Sequence, residues 1–186
     1  MTSRYAFSIT NPTSVHMTTP QATPNRLERQ LERLSEVPAF ARPWFRSVVL
    51  RRAVPFTGTA GLDFIEMTQQ RVEIGIANRR KVQNHLGGVH ASAINLLAET
   101  ATGMVVSMNV RDDCIPLTKA LKMAFKKRAT GSLRAVATLS DEQRAVMRAS
   151  DKGEVTVQVT VTDEAGVNPV ECEFVWAWIP SGLRKN

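Results

Sequence analysis

The sequence contains few of the residues that build metal sites and disulfide frameworks. Two cysteines, Cys114 and Cys172, and three histidines occur in 186 residues. The cysteines lack CxxC spacing and a nucleophile motif, so we interpret both as core thiols of a protein in a reducing, cytoplasmic setting. A zinc site formed by His85, His90 and Glu99 is disfavoured because the HExxH spacing of helical zinc ligands is absent. We therefore expect no bound metal.

Long apolar runs are absent as well. No run reaches the roughly 20 residues that a membrane-spanning helix needs, so we expect no membrane span. The first 22 residues have no acid and many Ser, Thr and Pro, but they lack the apolar central stretch of a secretory signal. We interpret residues 1–24 as a flexible N-terminal leader and residues 25–186 as one domain.

Acidic residues are fewer than basic ones, 17 against 24, which gives a net charge of +7. This excess predicts a partner that carries negative charge: a nucleic acid, an anionic membrane surface or a phosphorylated ligand. No nucleic-acid-binding motif or stacking pattern accompanies the charge, so we expect no nucleic-acid partner. Charge alone does not decide between the remaining classes.

The chain after the leader begins with a helical pattern. Leu27, Leu31 and Leu34 recur at the spacing of an amphipathic helix, and Arg and Glu lie between them. Pro38 is expected to end this N-terminal helix. The segment that follows, residues 38–56, is rich in aromatics and prolines, and it suits a helix–turn unit packed against a sheet.

Two-residue alternation of apolar and other residues indicates about six strands. Val72, Ile74 and Ile76 alternate with Glu and Gly in the first of two groups. About four consecutive antiparallel strands follow between residues 114 and 180, the first two joined near Gly131. A short helix that begins with a capping box interrupts this second group.

A long apolar helix is predicted between the two groups of strands. Residues 89–108 are apolar in nearly every direction around a helix. A helix of this kind belongs inside a fold or at an interface. Strands that surround a single apolar helix make an α+β arrangement.

The start of this helix carries the motif NHLGGVHASAINLLAE, residues 84–99. It resembles the acyl-CoA thioesterase motif of the phenylacetyl-CoA thioesterase type, N-x-x-G-x-x-H-G-G followed by an acid nine residues after the His. The matching positions are Asn84, Gly87, His90 and Glu99. Ala and Ser replace the Gly–Gly pair, and Glu replaces the more usual Asp, so the substrate geometry of that branch is not carried over.

The segment resembles the DUF4442 family of the hotdog thioesterase superfamily still more closely. The residues that fit its pattern are Asn84, His85, Gly87, Val89, His90, Ala91, Ala93, Leu97, Ala98, Glu99, Ala101 and Gly103. The likeness extends over about residues 25–180. It implies the hotdog fold, in which an antiparallel sheet wraps around one long central helix, here preceded by an N-terminal helix.

The resemblance also implies roles for four residues in thioester hydrolysis. It assigns polarisation of the substrate carbonyl to the main-chain amide of Ala91, which suits the positive end of a helix. Glu99 would act as nucleophile or general base, and its burial in an apolar helix should make it harder to ionise. Asn84 would orient the water or the carboxylate. His90 would hold the turn or donate to the substrate.

The spacing of two of these groups predicts a site shared between two chains. Ala91 and Glu99 are eight residues apart, which is about 12 Å along a helix and about 80° out of phase. One chain is therefore not expected to bring both groups to one thioester, whereas two chains related by a twofold axis could. We expect a homodimer, or a tetramer formed by two dimers.

The basic residues suggest how the thiol half of the substrate is held. Lys126, Lys127 and Arg128 lie near a strand end, where they could meet the phosphates of CoA. We therefore predict hydrolysis of an acyl-CoA or acyl-carrier thioester, without a cofactor because CoA is part of the substrate. The alternative is a non-catalytic hotdog protein that binds acyl-CoA. A hotdog hydratase is disfavoured because the Asp–His loop pair expected of that class is not evident.

Overall fold

The computed structural model describes residues 24–183. The helices α1 to α5 span Arg26–Glu32, Arg42–Ala53, Pro55–Ala60, Ala91–Ser107 and Asp141–Ala149. The strands β1 to β6 span Asp63–Met67, Arg71–Ile76, Cys114–Phe125, Leu133–Thr138, Gly153–Asp163 and Val170–Pro180. Short 3₁₀ helices cover Arg33–Glu36, Arg80–Val82 and Ser181–Leu183. The predicted leader lies outside the described residues, apart from residue 24.

The predicted N-terminal helix is present as α1. The Asn25 side chain accepts a hydrogen bond from the Glu28 N–H at 3.1 Å, and Glu28 Oε2 accepts one from the Asn25 N–H at 3.0 Å. This reciprocal pair satisfies two N–H groups that the start of a helix would leave open. The helix passes into a 3₁₀ turn that ends before Pro38, and Leu27 and Leu31 pack against the core.

The aromatic segment over residues 38–56 contains α2 and the start of α3, and α2 packs against β1. Two arginines of α2 make this contact. Arg46 Nε donates to the Phe64 carbonyl at 3.0 Å, and Arg51 Nε donates to the Leu62 carbonyl at 2.6 Å. These guanidinium groups bind main-chain acceptors at the outer edge of β1, where the described part of the chain adds no further strand to the sheet.

The strands form one antiparallel sheet in the order β1-β2-β4-β5-β6-β3. β5 pairs with β6 over residues 153–157 and with β4 over residues 158–163. Because its two halves have different neighbours, β5 joins the β1-β2-β4 part of the sheet to the β6-β3 part.

The last four strands are consecutive in the chain but not in the sheet. β3 and β4 are connected through Gly131, yet they do not pair with each other; β3 pairs with β6 along its whole length, from Cys114 opposite Pro180 to Phe125 opposite Val170. The sequence predicted about four consecutive strands in this part of the chain, and the structure has them as β3 to β6, with α5 between β4 and β5. Alternation identifies a strand and its buried face, but it does not identify the neighbouring strand.

The long apolar helix is confirmed as α4, which lies against the sheet. Its fully buried residues include Leu97, Ala98, Ala101, Val105 and Val106. Gly103 lies so close to Trp176 that a Cβ at this position would be 2.7 Å from the indole ring. The contact leaves no room for a larger residue and places α4 on β6. Within residues 24–183, no helix combines the length and apolar character needed to cross a membrane.

Candidate active site

The NHLGGVH segment forms a tight turn between β2 and α4. Asn84 holds it, because its Oδ1 accepts hydrogen bonds from the N–H groups of Leu86 at 2.9 Å and Gly88 at 3.2 Å. Gly87 has φ = +76°, a left-handed conformation that glycine adopts without strain. The amide oxygen of Asn84 is therefore engaged in the turn, and its NH₂ group is the part left to face a ligand.

The turn leads into the first residues of α4. His90 is the N-cap: its Nδ1 accepts a hydrogen bond from the Ser92 N–H at 3.1 Å, and its carbonyl accepts from the N–H groups of Ala93 and Ile94. The Ala91 N–H has no acceptor among residues 24–183. This N–H, at the positive end of a 17-residue helix, can donate to the oxygen of a substrate carbonyl.

Glu99 lies further along α4, half-buried beside β3. Burial raises the pKa of its carboxyl group, and the Thr118 hydroxyl, which donates to Glu99 Oε1 at 3.2 Å, acts against that rise. A carboxylate that is poorly solvated is a stronger base than an exposed one. The regular helix keeps this acid about 12 Å from the Ala91 amide. The helix thus presents a hydrogen-bond donor, the Ala91 N–H, and a base, the Glu99 carboxylate, at separate places.

Two buried amide side chains near these groups lie outside the predicted site. Asn95 is one helical turn before Glu99 on the same face of α4, and its Oδ1 is buried without a partner in the described part of the chain. Asn78 Nδ2 donates to the Gly87 carbonyl at 3.1 Å, and its Oδ1 is buried and likewise unpaired between residues 24 and 183. Buried oxygens normally accept a hydrogen bond, so a water or a ligand group is expected here.

The sequence contains a signal for Asn95 but none for Asn78. The i to i+4 spacing of Asn95 and Glu99 is a usable signal, since both are polar residues on one face of an apolar helix. Asn78 has no such signal, because only the folded turn brings it to Gly87.

The structure brings one of the three predicted phosphate-binding residues into contact with the turn. Arg128 Nη2 donates to the Leu86 carbonyl at 2.9 Å. Lys127 is exposed next to it, and Lys126 forms an exposed ion pair with Glu171 at 3.0 Å. The basic segment therefore borders the turn, with Arg128 at the contact and Lys126 directed toward β6.

β3 carries an apolar surface that begins three residues after Thr118, the residue that contacts Glu99. Leu121 pairs with Phe174 and Phe125 pairs with Val170, and both β6 partners belong to the core. Because directly paired residues of adjacent strands share a face, Leu121 and Phe125 are on the core side of the sheet. They are nevertheless 49% and 53% exposed. Leu121 and Phe125 therefore lie on the same strand and the same face of the sheet as Thr118, whose hydroxyl contacts Glu99.

The sequence matches a known protein family over most of its length. The sequence model of DUF4442, a domain of unknown function, matches residues 42–179. The chain belongs to the DUF4442 family. No curated protein matches it.

Solved structures establish the fold of this DUF4442 protein. A Pseudomonas aeruginosa protein described as a probable thioesterase is 21% identical, with a TM-score of 0.66, over 72% of this chain and 93% of the other. A Haemophilus influenzae thioesterase is 12% identical, with a TM-score of 0.59, over 70% and 87%. A mutant Staphylococcus aureus thioesterase is 17% identical, with a TM-score of 0.59, over 68% and 100%. At these identities the likeness shows the fold, which is the predicted hotdog arrangement.

The DUF4442 protein also has a cavity of about 920 Å³ that is separate from the turn. It lies near the C-terminal end of α4, and its lining includes Glu28, Arg144 and Arg148 but none of the predicted site residues. Arg148 pairs with Glu28 at 3.5 Å and Arg144 pairs with Asp141 at 2.5 Å. Because the lining contains no residue of the motif, we do not assign the chemistry to this cavity. No cluster of His, Cys, Asp and Glu able to hold a metal ion occurs between residues 24 and 183.

Proposed function

We propose that this protein hydrolyses the thioester of an acyl-CoA or an acyl-carrier. The observation that carries the proposal is a single helix on which the Ala91 N–H has no acceptor among residues 24–183 and the half-buried Glu99 carboxyl group has a raised pKa. The thioesterase descriptions of the structural neighbours from Haemophilus influenzae and Staphylococcus aureus support it. We place the activity in the cytoplasm, a reducing compartment in which the two free cysteines stay unpaired.

The reaction needs a hydrogen-bond donor that stabilises negative charge on the carbonyl oxygen and a base that takes a proton from water. The Ala91 N–H donates to the thioester carbonyl oxygen and stabilises the negative charge that forms there. Glu99 takes a proton from a water molecule, whose oxygen adds to the carbonyl carbon. The tetrahedral intermediate then expels the thiolate, which takes up a proton, so that the products are a carboxylic acid and a free thiol. Asn84 and His90, at the turn, orient the thioester or the water.

We further propose that each site combines the turn of one chain with the acid of a second. β3 supports this arrangement, because within residues 24–183 its outer edge pairs with no strand. An exposed edge of 12 residues with apolar side chains is a surface for pairing with another chain. Leu121 and Phe125 offer an apolar wall for the acyl group next to Glu99, and Lys126, Lys127 and Arg128 offer charge for the CoA phosphates.

A thiol-release assay on a panel of acyl-CoAs tests the activity. Glu99→Gln should lower kcat by about 10²- to 10⁴-fold, the usual contribution of a positioned acid–base group. Unchanged turnover in this variant would rule out the mechanism. Tight binding without turnover in both proteins would instead support the non-catalytic acyl-CoA binder.

A proline substitution tests the amide donor without removing the helix. Ala91→Pro deletes the N–H at the first helical position, where proline is well tolerated, and the preceding residue His90 already has the extended ψ of 143° that proline requires. We expect kcat to fall about 10²- to 10³-fold while circular dichroism stays unchanged.

The same two variants test the shared site. After mixing, unfolding and refolding, heterodimers of Glu99→Gln and Ala91→Pro chains would contain one site with both groups intact. Random pairing should then restore about a quarter of the wild-type activity. A site confined to one chain predicts no recovery.

A further inference from the structure

Within residues 24–183, the exposed large apolar side chains are concentrated in α2, at the start of α3 and in the segments next to them. Of the eleven in the described residues, six lie within residues 40–56. We call them the α2–α3 patch: Phe40, Trp44, Phe45, Val49, Val54 and Phe56. Phe40 is 89% exposed and Trp44 is 64% exposed. A concentration of this kind marks an interaction surface rather than scattered surface residues.

The contacts between α2 and β1 leave the patch on the outer side of the helix. Ser47 and Leu50 are buried on the inner face, and the Ser47 hydroxyl accepts a hydrogen bond from the Phe64 N–H at 2.8 Å. Arg46 and Arg51 donate to main-chain carbonyls along β1 from the same side of the helix. The orientation of α2 is therefore determined by polar contacts with β1, and the aromatic side chains are left on the outer side.

Charge indicates what kind of surface could cover the patch. Between Glu36 and Asp63 the chain has four arginines and no acid. Two of these arginines, Arg42 and Arg52, are exposed among the aromatic residues, and Arg42 Nε donates to the Val37 carbonyl at 2.8 Å. In a twofold contact the patch of one copy would meet the same patch of the other, and the stretch between Glu36 and Asp63 would supply no carboxylate to pair with the arginines. An anionic surface meets both the apolar and the positive residues favourably.

We propose that the α2–α3 patch binds the surface of an anionic lipid bilayer. Protein surfaces that lie at the interface of a bilayer carry Trp, Phe and aliphatic residues together with Lys or Arg. The indole ring of Trp44 sits at the headgroup level, as Trp commonly does, and Arg42 and Arg52 contact lipid phosphates. The patch covers the β1 edge of the sheet, so it does not overlap the β3 edge at which a second chain would pair.

The protein contains its own reporter for this interaction. Of its three tryptophans, Trp176 and Trp178 are 6% and 1% exposed, so Trp44 dominates any change of environment at the surface. We expect the tryptophan emission to shift to shorter wavelength with vesicles of phosphatidylcholine mixed with phosphatidylglycerol. Vesicles of phosphatidylcholine alone, or added salt, should give a much smaller shift. Trp44→Phe should abolish the shift while the protein still floats with the anionic vesicles.

Flotation of substituted proteins completes the test. Arg52→Ala should weaken vesicle binding about fivefold, and Trp44→Ala should weaken it about tenfold. Leu86→Ala, an exposed apolar residue in the turn, is the matched control and should leave binding unchanged. The proposal is overturned if anionic vesicles neither shift the emission nor float the protein. It is equally overturned by a shift that grows with protein concentration in the absence of lipid, since that would identify a second copy as the partner.

Discussion

The two edge strands of the sheet differ in whether another part of the chain covers them. β1 is five residues long, α2 packs against it, and guanidinium groups of α2 bind the carbonyls of Leu62, Phe64 and Ile65. β3 is 12 residues long, is exposed through its middle, and has no neighbour on its outer side among residues 24–183. An edge strand that is long and apolar invites pairing, and a covered one does not.

The difference between the edges coincides with the location of the proposed chemistry. Glu99 contacts Thr118 on β3, on the open side of the sheet, and the half-exposed Leu121 and Phe125 continue from it. The closed edge carries no predicted catalytic group. One edge is covered by the chain's own helix and the other is open beside Glu99, which is the arrangement that the proposed site shared between two chains requires.

The largest expected effect comes from placing a charge on the open edge. Leu121→Glu should prevent pairing along β3 and, with it, lower thioesterase activity by at least about a hundredfold. Sedimentation velocity would report the loss of the proposed dimer. Val146→Glu is the matched control, because Val146 is similarly exposed, at 57%, on α5. A dimeric and active Leu121→Glu protein would contradict the role of this edge.

A smaller effect is expected at the closed edge. Arg46→Ala removes the donor to the Phe64 carbonyl and should lower the free energy of unfolding by about 2 kcal/mol, because a half-buried acceptor loses its partner. Urea titration measures it. Arg52→Ala, on the exposed face of the same helix, should change stability by less than about 0.5 kcal/mol. Equal losses in the two variants would show that the arginine contact does not protect β1.

The basic segment beside the turn should influence substrate affinity more weakly. Arg128→Ala should raise KM for acyl-CoA about fivefold, the upper range for an exposed charge. It should leave KM unchanged for a short thioester that lacks the CoA phosphates. Lys152→Ala, an exposed lysine between α5 and β5, is the control. A change with both substrates would mean that Arg128 acts through the turn, where it contacts Leu86.

The smallest expected effect is a displacement of the pH profile. Glu99 must be ionised to act as a base; since burial raises the pKa of its carboxyl group, activity should fall on acidification sooner than for an exposed Glu. Thr118→Val removes the hydroxyl that opposes this rise, so the acidic limb of kcat/KM should move to higher pH. Thr156→Val, exposed on β5, should leave it in place. A movement to lower pH would contradict this account of the acid.

Much of the fold was predictable because it depends on local pattern. The two-residue alternation of Val72, Ile74 and Ile76 predicts a strand, and the structure confirms it as β2. The continuous apolar sequence of residues 89–108 predicts the buried α4. Both signals express a simple requirement, that one side of each element be removed from water.

The site was predictable to a smaller extent. The motif locates Asn84, His90, Ala91 and Glu99, and the cap at His90 leaves the predicted amide without an acceptor in the described residues. The unpaired oxygen of Asn95 and the contact of Arg128 with the turn depend on side-chain positions that no periodicity contains. The combination of two chains in one site stays a prediction.

The sequence by itself determined the main helices and strands and the core-facing residues of β2 and α4, because these properties follow from residue spacing and polarity along the chain. The candidate site residues came from the resemblance of residues 84–99 to a known motif. The tertiary structure alone decided that β3 lies beside β6 rather than β4. It also decided that one edge is closed by α2 while the other is open beside Glu99. Strand order depends on how distant segments pack together around α4, and the local pattern of a strand is the same whichever neighbour it finally meets.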